Sequence, residues 1–289
     1  MGSRCELQLY IPDGEDAGVI AKSIIAEIAR LEQKYTRYQA DSVTSAINRN
    51  AGSGRRYEVD RETRELLDYA ALMYRQSDGL FDITSGSLRS VWNFKSEKIP
   101  CAEDIAAVLP RIGWQKVEWQ PPFIYLPIAG MELDFGGYVK EYAADCAAAR
   151  CVELGVSQGL INLGGDIHIL GPHPDGRPWQ VGIQHPRMAE LPIATVAIQA
   201  GAITTSGDYE RYMIVDGIRY CHLLDPTTGR SIQPHYASVS VVAEQCLVAG
   251  TLSTLAMLHS QNNKYWIKDM DVPFLMVTPE LAIVGTLDV

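Results

Sequence analysis

Residues 133–140 combine groups that suit the binding of an anion. Gly136 and Gly137 lie where a short apolar strand is predicted to run into a long alanine-rich helix, and glycine lets backbone approach a ligand closely. The start of a helix offers unpaired N–H groups and the positive end of its dipole, and Lys140 adds a full charge there. The combination predicts a site for a phosphate or pyrophosphate. A tight connection within a packed core is the alternative.

Other segments carry polar groups of the same kind. Residues 203–209 offer hydroxyl and backbone N–H groups to an anion, and His222 stands two apolar residues before an Asp225-Pro226 turn. A lone histidine is more often packed or exposed than functional. Residues 164–166, Gly-Gly-Asp, join two strand-like runs, for which a plain hairpin turn is the alternative.

Two segments in the first third of the chain are more polar than packing requires. Residues 35–48 are polar and aromatic, which predicts a loop and a short helix able to close over a planar ligand. A surface loop is the alternative. Residues 80–88 alternate small hydroxyl side chains and a glycine with apolar anchors.

Composition narrows the class of protein. The chain has 289 residues, 47% of them hydrophobic, and a net charge of −10 from 35 acidic and 25 basic side chains. Such a globular protein is a poor nucleic-acid or anionic-membrane binder, because both need a cationic face. It lacks a signal-like start and a run of about 18 apolar residues, so no membrane span and a cytoplasmic location are expected. Six cysteines without C-x-x-C spacing indicate reduced thiols.

The elements that must position these groups alternate irregularly. Two helices are predicted over residues 138–153 and 244–259, and another is predicted to start at Asp60. An earlier helix is predicted because Ile20, Ile24, Ile28 and Leu31 would share one apolar face. Strands are predicted over residues 6–11, 179–184, 193–199, 211–215, 237–242, 274–277 and 281–284. Residues 95–122 read as a surface insertion around a short helix, residues 102–109. This irregular alternation favours an α+β fold, and a single domain over residues 1–289 is expected.

Together these segments resemble the FAD:protein FMN transferase family, the ApbE-type proteins, over nearly the whole chain. Seven pieces occur in that family's order and approximate spacing: residues 1–3, 38–48, 80–84, 133–137 with Lys140, 162–166, 205–208 and 222–229. The resemblance implies an α+β fold with flavin in a cleft. It also implies that FAD is bound and that its FMN half passes to a threonine or serine hydroxyl of an acceptor protein, with AMP leaving.

The resemblance also assigns roles by position. Tyr38 would flank the isoalloxazine ring, Asp134 and Lys140 would hold the adenosine and pyrophosphate side, and Leu224 would touch the cofactor by its backbone. The cofactor-binding set comprises Met1, Tyr38, Asn48, Leu80, Phe81, Asp82, Asp134, Lys140, Thr205, Ser206, Gly207 and Leu224. His222 resembles the family's histidine near the reacting phosphate and would be the general base, since neutral imidazole can take the hydroxyl proton.

The chain departs from the family at its magnesium site. The family usually places an aspartate four residues before a threonine on the late helix; here the threonine is Thr254 and the aspartate is replaced by Gly250. Gly137 would supply a carbonyl and Thr254 a hydroxyl, which leaves a Mg²⁺ site without its carboxylate. Glu141 stands where the family commonly has glycine. The replacement carboxylate stays open among Glu141, Asp166 and Asp208, and Gly250→Asp is expected to raise magnesium affinity.

Three functions follow from this resemblance. The first is FMN transfer to an acceptor protein. The second is hydrolysis of FAD to FMN and AMP, with water in place of the acceptor hydroxyl. The third is a flavin-binding module without activity, which Gly250 favours and His222 disfavours.

Overall fold

The elements are taken from a computed structural model that describes residues 4–96 and 98–289. The helices are α1 (Ala17–Tyr35), α2 (Val43–Arg49), α3 (Arg61–Gln76), α4 (Ala102–Val108), α5 (Val139–Glu153) and α6 (Cys246–His259). The strands are β1 (Cys5–Leu9), β2 (Tyr57–Glu58), β3 (Glu118–Gln120), β4 (Phe123–Tyr125), β5 (Gly159–Leu163), β6 (Asp166–Gly171), β7 (Trp179–His185), β8 (Met188–Ile198), β9 (Gly201–Gly207), β10 (Tyr212–Val215), β11 (Ile218–Cys221), β12 (Ser238–Ala243), β13 (Phe274–Val277) and β14 (Ile283–Gly285). Short 3-10 helices cover Ile83–Ser90, Leu109–Arg111, Trp114–Lys116, Phe135–Gly137 and Trp266–Met270. The predicted α+β class is confirmed.

The chain divides into two compact units. The first unit comprises Met1–Glu32, Tyr138–Tyr209 and Pro234–Val289, and the second comprises Gln33–Gly137 and Glu210–Gln233. Both are discontinuous in sequence. The single domain over residues 1–289 stays a prediction.

The first unit is built on a seven-stranded sheet in the order β1-β5-β6-β9-β12-β13-β14, with every neighbouring pair antiparallel. Helix α5 packs against β5 and β6, and α6 packs against β9 and β12. Side chains alternate between the faces of a strand, so Ile203 of β9 joins an apolar cluster while Ser206 points to α6. The β7–β8 hairpin contributes Trp179 and Val181 to that cluster. The sheet is therefore covered on both faces.

The second unit combines a three-stranded sheet, β2-β4-β3, with the β10–β11 hairpin and the helices α2, α3 and α4. Helix α3 begins where predicted, because the Asp60 carboxylate accepts the Thr63 N–H at 2.9 Å. The apolar core of the second unit includes Trp92, Val108 and Ile112. Val108 and Ile112 belong to the segment predicted as a surface insertion. That prediction is wrong, because the segment supplies part of the core.

Two other local predictions are also wrong. Residues 133–134 are irregular rather than a strand, because both backbone groups of Leu133 bond to the Asn48 side chain and not to a neighbouring strand. Residues 203–207 form part of β9 rather than a connection, and they pair with β12. The ladder therefore engages backbone groups that were predicted to face an anion. Within the described residues, no helix is long and apolar enough to cross a membrane.

Candidate active site

A cavity of about 400 Å³ opens in the second unit beside the loop that precedes α2. Its lining includes Tyr38 and Asn48, both predicted to bind the cofactor, together with Arg37, Arg49 and Arg89. Tyr38 is 78% exposed, and the Arg37 guanidinium lies 4.9 Å from the centre of its ring. The Glu132 carboxylate also lines the cavity and pairs with Arg89 at 2.7 Å, so the Tyr38 ring lies among both cationic and anionic groups. The ring and the arginines are groups that suit a planar ligand carrying phosphate.

The loop of residues 133–137 is held in place by Asn48. The Asn48 amide donates to the Leu133 carbonyl at 3.0 Å and accepts the Leu133 N–H at 2.8 Å. Asp134 accepts the Gly136 N–H at 2.9 Å and forms an ion pair with Arg37. Asn48 and Asp134 thus share one polar network. Arg37 was missed by the sequence analysis, although its neighbour Tyr38 marked the segment as polar and aromatic.

Asp82 stabilises its own loop. One carboxylate oxygen accepts the Thr84 N–H at 2.8 Å and the Thr84 hydroxyl at 2.6 Å, and the other accepts the Trp114 N–H at 3.1 Å. Burial raises the pKa of Asp82, and these hydrogen bonds oppose the rise. Phe81 is buried and Leu80 half-buried. The contact of these three residues with FAD stays a prediction.

His222 directly follows β11 in a tightly bonded turn of the second unit. Its N–H donates to the Arg211 carbonyl at 2.9 Å. Three residues later the buried Asp225 carboxylate accepts the Thr227 N–H at 2.8 Å and the Thr227 hydroxyl at 2.6 Å. The half-buried His222 is therefore carried by rigid backbone, which suits a group that must meet a substrate in one orientation.

The end of this turn is anchored in the core. Gly229 has a φ of +67°, and a Cβ there would lie 2.6 Å from the Ile105 side chain, so the position requires glycine. Its carbonyl accepts the Trp92 indole N–H at 2.8 Å. Leu224 forms a bridge with Ser231. The predicted contact of Leu224 with the cofactor remains untested.

The first unit carries a layer of hydroxyl groups between its sheet and α6. The Ser206 hydroxyl lies 2.9 Å from that of Ser253 and 3.0 Å from that of Thr254. On the other face of β9, the Thr205 hydroxyl lies 2.7 Å from that of Ser240. Thr254 of α6 therefore lies beside Ser206, whereas Thr205 faces away from α6. Gly137, its predicted partner at a metal, belongs to the second unit.

A cluster of charged side chains lies at the beginning of α5. Gly164 and Gly165 form the hairpin turn between β5 and β6, and the turn places Asp166 first in β6. Asp166 is 3% exposed, and its carboxylate pairs with the Lys140 ammonium at 2.7 Å. Burial, assisted by the neighbouring Asp166 carboxylate, raises the pKa of Glu141 to about 8. The hydrogen bond between the two side chains raises the pKa of Glu141 further and opposes the rise in the pKa of Asp166.

Gly250 leaves the space that the Glu141 side chain occupies. A Cβ at position 250 would lie 2.6 Å from Glu141 Cγ and 3.1 Å from its Oε1. Gly250→Asp alone would therefore displace Glu141, which revises the expectation that this change simply adds a ligand. Both positions depart from the family pattern in the sequence, but their contact is visible only in the packed structure. The signal was present, because the chain has lost one carboxylate and gained another relative to the same family pattern.

The side chains of Asp145, His168 and Cys246 form a group that could hold a metal ion, since their potential ligand atoms all lie within 4.8 Å of one another. The Asp145 carboxylate accepts the N–H groups of Cys246 and Leu247 at 2.8 and 2.9 Å and lies 2.8 Å from His168 Nδ1. Burial raises the pKa of the Cys246 thiol well above its usual range, which disfavours the thiolate that binds metals. Asp145 of α5 thus caps α6, whose own N-cap residue provides no side-chain bond.

Asp145→Ala is expected to lower the free energy of unfolding by about 1–2 kcal/mol, because two N–H groups at the start of α6 lose their acceptor. Urea denaturation followed by circular dichroism measures the change. Glu153→Ala on the same helix is the control, since the Glu153 side chain is 64% exposed and its loss should stay within about 0.5 kcal/mol. Equal stability of the two variants would contradict the capping role.

A model of the ApbE family matches residues 1–276. The chain belongs to the ApbE family. The FAD:protein FMN transferase of Klebsiella pneumoniae is 32% identical over 260 residues, which are 88% of this chain and 79% of the relative. The Vibrio cholerae protein of the same name is 28% identical over 268 residues, 89% of this chain and 80% of the relative. The resemblance noted from the seven sequence segments is confirmed.

Solved structures of the ApbE family share the fold. The apbe protein of Thermotoga maritima aligns with a TM-score of 0.87 at 28% identity, covering 98% of this chain and 97% of that protein. The apo flavinyl transferase ApbE of Pseudomonas stutzeri aligns with a TM-score of 0.85 at 29% identity, covering 99% and 92%. Of the predicted site residues, Met1 lies outside the described part of the chain.

Proposed function

We propose that this protein is an FAD:protein FMN transferase, which binds FAD and transfers its FMN half to a threonine or serine hydroxyl of an acceptor protein. The observation that carries the proposal is the match to relatives of that name along most of their length as well as its own. The arginine-lined cavity with Tyr38 on its wall supports it, since flavin and phosphate need an aromatic surface and positive charge.

The reaction exchanges the phosphoanhydride bond of FAD for a phosphoester bond to the acceptor. The acceptor oxygen forms a bond to the FMN phosphorus, the bond from that phosphorus to the bridging oxygen breaks, and AMP leaves. His222 takes the proton of the acceptor hydroxyl as the new bond forms. Positioning and neutralisation of phosphate charge dominate catalysis of this kind. In this proposal Lys140 supplies positive charge to the phosphates.

The proposed reaction also uses a bound Mg²⁺ ion. When bound, the ion neutralises charge on the pyrophosphate. The Thr254 hydroxyl of the first unit is the proposed neutral ligand, but a hard divalent cation also needs anionic oxygen. The buried Glu141 carboxylate fits that need, since its Oε2 has no hydrogen-bond partner among the described residues.

The test uses the purified protein, FAD, Mg²⁺ and the flavin-free acceptor of the Vibrio cholerae relative. Transfer predicts yellow fluorescence that stays on the acceptor band after denaturation, together with one AMP per flavin attached. An acceptor whose target hydroxyl residue is replaced by alanine is the control. AMP release that does not depend on the acceptor would indicate hydrolysis instead, and stable FAD without either product would indicate a binding protein.

A further inference from the structure

The Glu141 side chain is a buried acid with an unsatisfied oxygen. It is 8% exposed on the first turn of α5, and Oε2 has no hydrogen-bond partner within the described residues. Leaving a buried polar atom unsatisfied is unfavourable for the folded protein, and more so when the group is charged. A carboxylate retained in such a position therefore points to a ligand that the protein alone does not supply.

The Glu141 side chain extends from α5 into the space beside Gly250 of α6. Its Cγ and Oε1 lie 2.6 and 3.1 Å from where a Cβ of residue 250 would stand, so its acidic end reaches the α6 face that carries Gly250. Thr254 follows Gly250 by four residues and therefore shares that face. The carboxylate from α5 and the hydroxyl from α6 thus belong to one polar layer of the first unit.

The other two candidate carboxylates are already engaged. The two carboxylate oxygens of Asp208 each accept a hydrogen bond from the Arg187 guanidinium, with N–O distances of 2.7 and 2.9 Å. Asp166 pairs with Lys140 and also accepts the Thr205 N–H. Asp166 Oδ2, like Glu141 Oε2, lacks a hydrogen-bond partner among the described residues, but it already lies 2.7 Å from the Lys140 ammonium. Glu141 Oε2 is therefore the better candidate to bind a further cation.

We propose that Glu141 supplies the anionic oxygen of a divalent-cation site, reaching from α5 into the space that Gly250 leaves on α6. The cation is a hard one such as Mg²⁺, because the donors are carboxylate and hydroxyl oxygens. The inference rests on the proposed function, since the cation would act on the pyrophosphate of FAD. A glutamate on one helix thereby replaces an acid on the next.

The direct test is Mn²⁺ binding by the whole protein, followed by electron paramagnetic resonance in the presence of FAD, with Mg²⁺ as competitor. Glu141→Gln should weaken Mn²⁺ binding by about tenfold or more, since even indirect partners of a metal contribute about 10–100-fold. Glu153→Gln makes the same chemical change at an exposed site of α5 and should leave binding unchanged. Wild-type Mn²⁺ affinity in Glu141→Gln, or no Mn²⁺ uptake by the wild type, would overturn the proposal.

A swap of the acid between the helices tests the geometry. Glu141→Gly should lose Mn²⁺ affinity, and Glu141→Gly with Gly250→Asp should recover most of it, because the acid then starts from α6. Gly250→Asp alone should be less stable than the double variant, since its Cβ meets Glu141. A double variant that folds but binds Mn²⁺ no better than Glu141→Gly would contradict the swap.

The two proposals fail in different ways. FAD titration of the wild type without metal, followed by flavin fluorescence, reports on the proposed function alone. Absence of FAD binding and of transfer would reject that function. Normal FAD binding and transfer, combined with unchanged Mn²⁺ affinity in Glu141→Gln, would reject only the role of Glu141.

Discussion

His222→Ala is expected to lower the rate of FMN transfer by about 10²–10⁴-fold while FAD still binds, because the acceptor hydroxyl loses its general base. The backbone of the surrounding turn is held by bonds that do not involve the imidazole, including those of Asp225, so the fold should survive. Initial rates of covalent flavin attachment at saturating FAD measure the loss. The dissociation constant of FAD from calorimetry should change little.

His235→Ala is the matched control, since His235 is an exposed histidine in the other unit. Its transfer rate should equal that of the wild type. A rate in His222→Ala within a few-fold of the wild type would assign proton removal to another group. Partial recovery of the rate at higher pH would support the base role, because hydroxide can replace the missing imidazole.

Phe135→Ala is expected to lower the free energy of unfolding by about 3–5 kcal/mol. Phe135 is fully buried, its ring centre lies 5.1 Å from that of Tyr35, and it directly precedes Gly136. Its removal leaves a cavity beneath the loop that Asn48 holds. Urea denaturation monitored by tryptophan fluorescence measures the change.

Phe123→Ala serves as the control for that experiment. Phe123 is 39% exposed on β4 of the same unit, so its truncation should have a much smaller effect. A loss below about 1 kcal/mol in Phe135→Ala would mean that Phe135 does not support this loop.

Local patterns predicted much of the secondary structure. The spacing of Ile20, Ile24 and Leu31 predicted α1, and Asp60 with Thr63 predicted the start of α3. These signals lie within a few residues of the feature they specify. They depend on helix geometry and backbone capping, which a sequence displays directly.

The remaining features depend on partners far apart in sequence. Leu133 is irregular because Asn48, 85 residues earlier, bonds its backbone. β9 was missed because its small hydroxyl residues lack apolar alternation, although β6 and β12 pair with it. The family resemblance predicted the site residues, which stay a prediction, but the contact of Glu141 with Gly250 required the packing of α5 on α6.

The sheet order has a consequence for biosynthesis. Strand β9 is followed by residues 210–233 of the other unit before β12 can pair with it. Until β12 leaves the ribosome, β9 presents an open edge, which is the kind of surface that recruits other polypeptides. Native folding of this unit therefore waits for the carboxyl-terminal segment, and no single cut can release either unit intact.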